Sequence, residues 1–362
     1  MSNRERKASG GSIRIAKVAG IPIRLHFTFL LFIAYVAIVA QRTDSPQLAA
    51  LIPAIFACVV LHELGHALVA RRFGIETREI TLYLIGGIAY IEGRPKPAEE
   101  FWIALAGPLV NVAIALVLLP VVYLVDGALP PFKFTIDGET FLRGLYLANI
   151  ALPLFNMIPA LPMDGGRVLR SVLAMRMNER KATKIAAAVG QVFAFLVAIY
   201  GLTTGNIFLL LIAFFVFVGA TQEVASAVGY SLVADKKVSD AMITQFEVVG
   251  SGEVLGKAAD LLMHSSQRDF PVVWGADVLG ILTRDDIIRG YSSDGGNAYV
   301  AGHMRREFKK MTPDDSLTAA LEGFSTDQLP ILVMDGERLL GMVTAESLAE
   351  FMMLEEARAA GR

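Results

Sequence analysis

The sequence predicts a polytopic α-helical membrane protein that is followed by a smaller α/β domain. Of the 362 residues, 54% are hydrophobic and 19% are charged, a balance that soluble domains rarely show. Apolar runs dominate residues 25–228, whereas charged residues are evenly spread from about residue 233 onward. We therefore expect a membrane-embedded domain over 1–232 and a soluble domain over 233–362.

Six segments of the first domain are candidates to cross a bilayer, which requires about 20 mostly apolar residues each. They are 25–41, 47–72, 101–125, 141–162, 185–204 and 206–227. The first segment is short, and only "TTGN" at 203–206 separates the last two. The sequence thus predicts about six transmembrane helices.

Lys and Arg are unequally distributed among the connections between these spans. They collect before the first span, between the second and third, and between the fourth and fifth, where Arg167 and Arg170 lie. The opposite connections hold little more than Arg42 and Lys133. Because basic connections favour the cytoplasmic side, we expect a multi-pass protein of the cell membrane with both termini in the cytoplasm.

The connection between the second and third spans is apolar but does not have the pattern of a helix. "REITLYLIGGIAYIEGRP" (78–95) is rich in β-forming residues and is interrupted by Gly86 and Gly87, which predicts a β-hairpin. Non-helical backbone is tolerated at membrane depth only where protein buries it or where it lines a cavity. The sequence leaves open whether the hairpin lies there or at the cytoplasmic interface.

The C-terminal domain contains an internal repeat. "VSDAM" at 238, "DFPVV" at 269 and "VLGILTRDDI" at 278 return as "VAGHM" at 300, "QLPIL" at 328 and "LLGMVTAESL" at 339. The two copies of each motif are about 61 residues apart, which indicates a duplicated module over 238–291 and 300–353. Each copy has the pattern helix, strand, strand, helix.

Charge and cysteine content exclude several classes of function. The net charge of −2 and the lack of a long basic tract argue against nucleic acid as a partner. A single cysteine, Cys58, excludes an intramolecular disulfide and a cysteine-rich metal site.

The second span contains an unusual polar motif, "VVLHELGHALVA" at 59–70. Residues four apart share one helix face, so His62 and His66 can bind one metal ion with Glu63 beside it. Zinc proteases use this arrangement, with the carboxylate as the base that deprotonates water. Because ionisable groups inside a membrane span are costly, a metal site is favoured over a structural polar cluster.

A catalytic zinc usually has a third protein ligand and a water molecule. The membrane core offers no third histidine, and the best carboxylate is Asp164 in "LFNMIPALPMDGGR", at the cytoplasmic end of the fourth span. Asp164 could instead be a turn residue before Gly165 and Gly166. Elimination favours Asp164 as the third ligand.

These motifs together resemble a known family. "HELGH", "FGI", "GGIAYIE", "ALAGPLVN" and "NMIPALPMDGGR" follow one another as in the site-2 protease family of intramembrane zinc metalloproteases, over nearly all of 13–228. The duplicated tail resembles a tandem CBS domain, as in the CBS-bearing branch of that family. The resemblance implies one catalytic Zn²⁺ held by His62, His66 and Asp164, with Glu63 as general base.

The resemblance also implies how substrate is bound. Asn156 would hold the substrate backbone near the metal, and the hairpin over 79–92, with Gly86, Gly87 and Ile88, would offer a strand edge. The family's G-x-x-x-N pattern corresponds to Gly107 and Asn111. Close helix packing and an interhelical hydrogen bond are open alternatives for those two residues.

CBS pairs bind adenine nucleotides (ATP, ADP or AMP) through a [ST]-x-x-D motif, so the resemblance implies a nucleotide site. The first copy has Thr283 and Asp286 at these positions, whereas the second has Thr344 and Ser347 and lacks the carboxylate. One nucleotide site is therefore the most that we expect. The alternative is a CBS pair that only joins two chains into a homodimer.

The function expected is regulated intramembrane proteolysis of a single-pass transmembrane protein in the lipid bilayer. A transporter or channel gated by CBS modules is the main alternative. Conducting paths need polar residues along several spans, whereas here the ionisable groups concentrate at one depth, which favours a single reaction centre. A zinc-binding scaffold without activity is disfavoured because it would not need Glu63.

Overall fold

The computed structural model describes residues 11–42, 46–84, 86–91, 93–126, 141–326 and 329–360. It divides into two compact units, Met1–Ala227 and Val228–Arg362. The sequence places this boundary at 232/233.

The described part of the first unit is mainly helical. Its helices are α1 (Phe27–Arg42), α2 (Pro46–Arg72), α3 (Pro97–Asp126), α4 (Phe141–Asn156), α5 (Asp164–Ala174), α6 (Glu179–Thr204) and α7 (Ile207–Val233). Four of them, α2, α3, α6 and α7, are long and apolar enough to cross a membrane. The predicted fold class of a polytopic helical membrane protein is thereby confirmed.

The first and fourth predicted spans are shorter than expected. α1 and α4 have 16 residues each, which is about 24 Å of helix against about 30 Å of bilayer hydrocarbon. The fourth span was predicted to reach 162, but α4 ends at Asn156. Pro159 and Pro162 lack the backbone N–H that a helix needs, so 157–163 form a loop instead. Lys133, used in the charge argument, lies outside the described residues.

A four-stranded sheet packs against α2. Its strands are β1 (Ser12–Val18), β2 (Ile21–His26), β3 (Thr77–Tyr83) and β4 (Gly86–Ile91), in the order β1-β2-β3-β4. The hairpin predicted over 79–92 is confirmed as β3 and β4. The sequence did not predict β1 and β2; β2 runs parallel to β3. Ile21 and Ile80 of the sheet are buried together with Leu64 and Ala67 of α2.

The second unit contains two copies of one module. The first has β5 (Val249–Gly250), α8 (Leu255–His264), β6 (Asp269–Trp274), β7 (Asp277–Thr283) and α9 (Arg284–Asp294). The second has β8 (Lys310–Met311), α10 (Leu317–Thr326), β9 (Ile331–Asp335), β10 (Arg338–Val343) and α11 (Ala345–Ala360). The predicted helix, strand, strand, helix pattern is confirmed, and within each copy a two-residue strand precedes the first of these helices.

Each module has its own hydrophobic core. Phe270 and Leu255 are buried in the first module, and Leu317 and Ile331 are buried in the second. A further cluster joins Ile281 of β7 with residues of β9 and β10. The two copies are therefore packed together as one α/β body.

Candidate metal centre

Two distant parts of the chain bring three potential metal ligands together. α2 carries His62 and His66, and Asp164 is the first residue of α5. His62 Nε2 lies 3.1 Å from His66 Nε2 and 3.1 Å from Asp164 Oδ2, and His66 Nε2 lies 3.4 Å from Asp164 Oδ2. Both imidazoles are buried. The three residues predicted from the sequence thus meet at one point.

The other nitrogen of each imidazole is held by α3. His62 Nδ1 donates to Asn111 Oδ1 at 2.6 Å, and His66 Nδ1 donates to the Ile103 carbonyl at 2.6 Å. A neutral imidazole whose Nδ1 carries the proton has a lone pair on Nε2. Both Nε2 atoms therefore face each other and the Asp164 carboxylate as electron-pair donors, which is the tautomer that metal binding requires.

The donor set and its spacing fit a zinc ion. With zinc bonds of 2.0–2.2 Å, two donors of a tetrahedral site lie about 3.3 Å apart. The observed separations of 3.1, 3.1 and 3.4 Å bracket that value. Two imidazoles and one carboxylate leave a fourth position open, as catalytic zinc sites do.

Gly107 keeps the space beside these donor atoms free. A Cβ at this position of α3 would lie 2.6 Å from His62 Nε2 and closer still to His66 Nε2. Gly65 of α2 also lets these two helices pack closely, since a Cβ there would lie 2.9 Å from the Ala106 carbonyl oxygen. A side chain at 107 would fill the space beside the two Nε2 atoms and leave no room there for an ion.

Asn111 belongs to a buried chain of hydrogen bonds behind His62. Asn111 Nδ2 donates to Asn149 Oδ1 at 2.8 Å, and Asn149 Nδ2 donates to the Leu145 carbonyl at 2.8 Å and to Cys58 Sγ at 3.4 Å. Asn111 thus makes an interhelical hydrogen bond to Asn149 and also fixes the orientation of the His62 ring. The sequence argument missed Asn149, although an amide inside an apolar span was the available signal.

Two glycines allow α5 to begin where Asp164 can reach the histidines. A Cβ at Gly165 would lie 2.5 Å from the Ile158 carbonyl oxygen, and a Cβ at Gly166 would lie 2.6 Å from the Ala160 carbonyl oxygen. The start of α5 therefore folds tightly against the loop that precedes it. Asp164 begins a helix rather than ending one, contrary to the turn alternative.

Glu63 lies under the hairpin. A Cβ at Gly87 would come within 2.9 Å of Glu63 Cγ and 3.2 Å of Val59 Cγ1, so β4 crosses directly over the glutamate. Gly86 has a φ of +140°, which favours glycine. Ile88 is 44% exposed, and β4 pairs only with β3 among the described strands. One edge of β4 is therefore available next to Glu63.

Asn156 is the last residue of α4 and lies eight positions before Asp164. Its side chain is half-buried, and no residue in the described part of the chain accepts from or donates to it. The amide is therefore free to bind another molecule.

Thr283 and Asp286 meet at the start of α9. Thr283 Oγ1 accepts from the Asp286 backbone N–H at 3.2 Å and donates to Asp286 Oδ2 at 2.6 Å. Arg305 also donates to this carboxylate, from Nε at 2.7 Å and from Nη2 at 3.2 Å. Burial raises the pKa of Asp286, but the bonds from Arg305 and Thr283 outweigh burial and hold the pKa below its usual value.

The matching position of the second module has no carboxylate. Ser347 Oγ donates to the Thr344 carbonyl at 3.2 Å, and Thr344 Oγ1 accepts from the Ser347 backbone N–H at 3.1 Å. This motif caps a helix.

Comparison with known proteins gives matches over both units. The model of Peptidase family M50 matches residues 50–143 and 133–200, and that of the CBS domain matches 238–293 and 300–354. A zinc metalloprotease of Methanocaldococcus jannaschii is 33% identical over 345 residues, which cover 95% of this chain and 97% of that protein. Stage IV sporulation protein FB of Bacillus subtilis is 28% identical over 131 residues, covering 35% and 41% of the two chains. A solved site-2 protease from Methanocaldococcus jannaschii is 43% identical, covers 59% of this chain and 95% of its own, and has a TM-score of 0.47.

Proposed function

The chain belongs to peptidase family M50, the site-2 protease family of zinc metalloproteases, and on that premise we propose that it cleaves a transmembrane segment of a single-pass membrane protein. The observation that supports this most directly is the meeting of His62, His66 and Asp164 beside Glu63. Ligands and base lie in a unit with four apolar helices of membrane-spanning length among its described residues. The peptide bond to be cut would therefore itself lie in the membrane.

We propose that His62, His66 and Asp164 hold one catalytic Zn²⁺. When bound, zinc polarises a water molecule and the scissile carbonyl group, so that hydroxide is available near neutral pH. Glu63 accepts the proton of the attacking water and passes it to the leaving amine nitrogen. Asn111 and the Ile103 carbonyl keep both imidazoles in the tautomer that can act as ligand.

We propose that substrate binds as an added strand on β4. A helix hides its peptide bonds, so a transmembrane substrate must unwind before it is cut. Pairing with the free edge of β4 would satisfy the backbone groups of the unwound segment. Gly86, Gly87 and Ile88 would lie along this strand, close to Glu63, and the Asn156 amide would bind the substrate backbone near the metal.

For the second unit, we propose that an adenine nucleotide binds at Thr283 and Asp286 and modulates proteolysis. Asp286 already accepts two hydrogen bonds from Arg305, so a ribose hydroxyl would have to share the carboxylate with that guanidinium.

We also propose that the CBS pair joins two chains into a homodimer, and that both termini are cytoplasmic. The size of the detergent-solubilised protein tests the dimer.

The test of the main proposal compares cells that carry the wild-type protein or Glu63→Gln. Quantitative proteomics of the membrane fraction should show a single-pass protein accumulating at full length in the variant. Since glutamine retains the size of the side chain but cannot accept the proton, metal content should stay unchanged. Equal precursor levels in both strains, with the protein expressed, would contradict proteolysis. Transport that survives the substitution would support a transporter instead.

A further inference from the structure

Asp164 depends on a short helix for its position. α5 has 11 residues, and isolated helices shorter than about 12 residues are marginal in water. His62 and His66, by contrast, lie on a helix of 27 residues. The third ligand therefore needs contacts from outside α5 to stay within reach of the other two.

Arg170 provides such contacts, less than two turns after Asp164 on the same helix. Its Nε donates to Glu100 Oε2 at 3.3 Å, its Nη2 donates to the other oxygen of Glu100, and its Nη1 donates to Glu223 Oε2 at 3.0 Å. The Arg170 side chain is 13% exposed and that of Glu100 is 11% exposed. One guanidinium thus ties α5 to α3 and to α7, in a geometry that a point charge such as Lys cannot reproduce.

The anchoring residue Glu100 lies on the part of α3 that organises the rest of the metal site. Glu100, Ile103, Gly107 and Asn111 are spaced by three or four residues, so they follow one face of the helix. Ile103 and Asn111 orient the two histidines, and Gly107 leaves the space beside them. This one face of α3 is therefore in contact with each element that supplies a ligand.

We propose that Arg170 is a positioning residue that holds Asp164 at metal-binding distance by fastening α5 to Glu100 and Glu223. The inference rests on the proposed zinc site. Arg170 lies six residues from Asp164, which is about 9 Å along the helix axis. A rotation of α5 by about 3° about the Arg170 end moves Asp164 by about 0.5 Å, the tolerance within which a functional group must be held.

The test uses the full-length protein in detergent, with Co²⁺ in place of Zn²⁺ as a spectroscopic probe of the ligand sphere. Arg170→Met should change the visible absorption of bound Co²⁺ and release Zn²⁺ to a chelator about tenfold faster or more. Arg170→Lys should restore part of the wild-type behaviour. Arg24→Met is the matched control, because Arg24 of β2 faces Glu79 in an ion pair whose side chains are 14% and 12% exposed, much as those of Arg170 and Glu100 are, but it does not lie on α5. It should leave both readouts unchanged.

A triple variant separates positioning from stability. Arg170→Met alone leaves the buried carboxylate of Glu100 without this partner and leaves Glu223 paired only with Arg167, which destabilises the fold. Combining it with Glu100→Gln and Glu223→Gln removes those charges, so the fold should recover. Positioning predicts that the Co²⁺ spectrum and the release rate stay altered in the triple variant. A wild-type spectrum and release rate in the triple variant would overturn the inference about Arg170 but not the proposed zinc site. Equal metal content in the wild type and in a variant that lacks His62 would overturn the zinc site and, with it, the inference about Arg170.

Discussion

Gly107→Ala is the substitution whose effect on zinc binding follows most directly from the structure. The new Cβ would lie 2.6 Å from His62 Nε2, whereas real Cβ atoms are essentially never within 3.0 Å of another atom. The His62 ring must then move by at least 0.4 Å, the difference between those two distances, and His66 must move further. Metal–ligand distances are fixed to within about 0.2 Å, so both rings would leave their ligand positions.

The size of the effect follows from known substitutions near metal sites. Changing a group that only supports a ligand costs about 10–100-fold in metal affinity. Gly107→Ala displaces two ligands directly, so we expect zinc affinity to fall by at least about 100-fold, which is about 2.8 kcal/mol. In an α-helix, alanine is favoured over glycine by about 1 kcal/mol, so helix propensity cannot be the cause of a loss of zinc affinity in this variant.

The assay is competition for zinc between the detergent-solubilised protein and a chelator of known affinity. Gly229→Ala is the matched control, since it makes the same change on α7, where the nearest atom, Met352 Sδ, would be 3.8 Å from the Cβ. Zinc affinity should be unchanged in Gly229→Ala. A Gly107→Ala protein that binds zinc as tightly as wild type would refute the placement of the metal between His62 and His66.

Three further predictions concern the hairpin and the second unit. Proline at Ile88 or at Tyr90 should abolish cleavage of a reconstituted substrate while zinc content stays normal, because proline cannot donate a backbone hydrogen bond to an added strand; normal cleavage in both variants would exclude strand addition. Burial and, second, the negative charge of Glu346 raise the pKa of Asp269 from 3.8 to about 6 in the folded state. Because ionised Asp269 is disfavoured in the folded state, the stability of this unit falls as pH rises through 6. Asp269→Asn should therefore raise the unfolding temperature of this unit at pH 7.5 but not at pH 4, measured by Trp274 fluorescence in a chain that lacks the other tryptophan; equal shifts at both pH values would contradict this. Calorimetry of the full chain should show heat on addition of ATP, ADP or AMP that Asp286→Ala removes, and no heat with any of the three would exclude the nucleotide site.

The sequence predicted one part of the site because the residues of that part are close together along the chain. His62, Glu63 and His66 share one turn of helix, so their convergence follows from helix geometry. Asp164 lies about a hundred residues away, and only the lack of other candidates at membrane depth pointed to it. Its exact approach depends on Gly165 and Gly166, whose close contacts the sequence does not reveal.

Tertiary contacts explain what the sequence could not predict. Arg170 counted only as a cytoplasmic-side charge, because nothing local indicates that Glu100 and Glu223 will meet it. Asn149 has no polar neighbour along its own helix that would reveal its role, and only the packing of α4 beside α3 brings it to Asn111. In β1 and β2, basic residues stand between aliphatic ones. In the sequence alone, these basic residues indicate the cytoplasmic side of the membrane rather than a sheet.

We propose that three residues hold one zinc ion and that Glu63 acts beside it as the base, so that together they cleave a peptide bond. The measurement that tests it most directly is zinc content and cleavage in the purified wild type, Glu63→Gln and Asp164→Ala. We predict about one zinc ion per chain in wild type and in Glu63→Gln, much less in Asp164→Ala, and cleavage only in wild type. Undiminished cleavage by Glu63→Gln, or equal zinc content in all three proteins, would contradict the account.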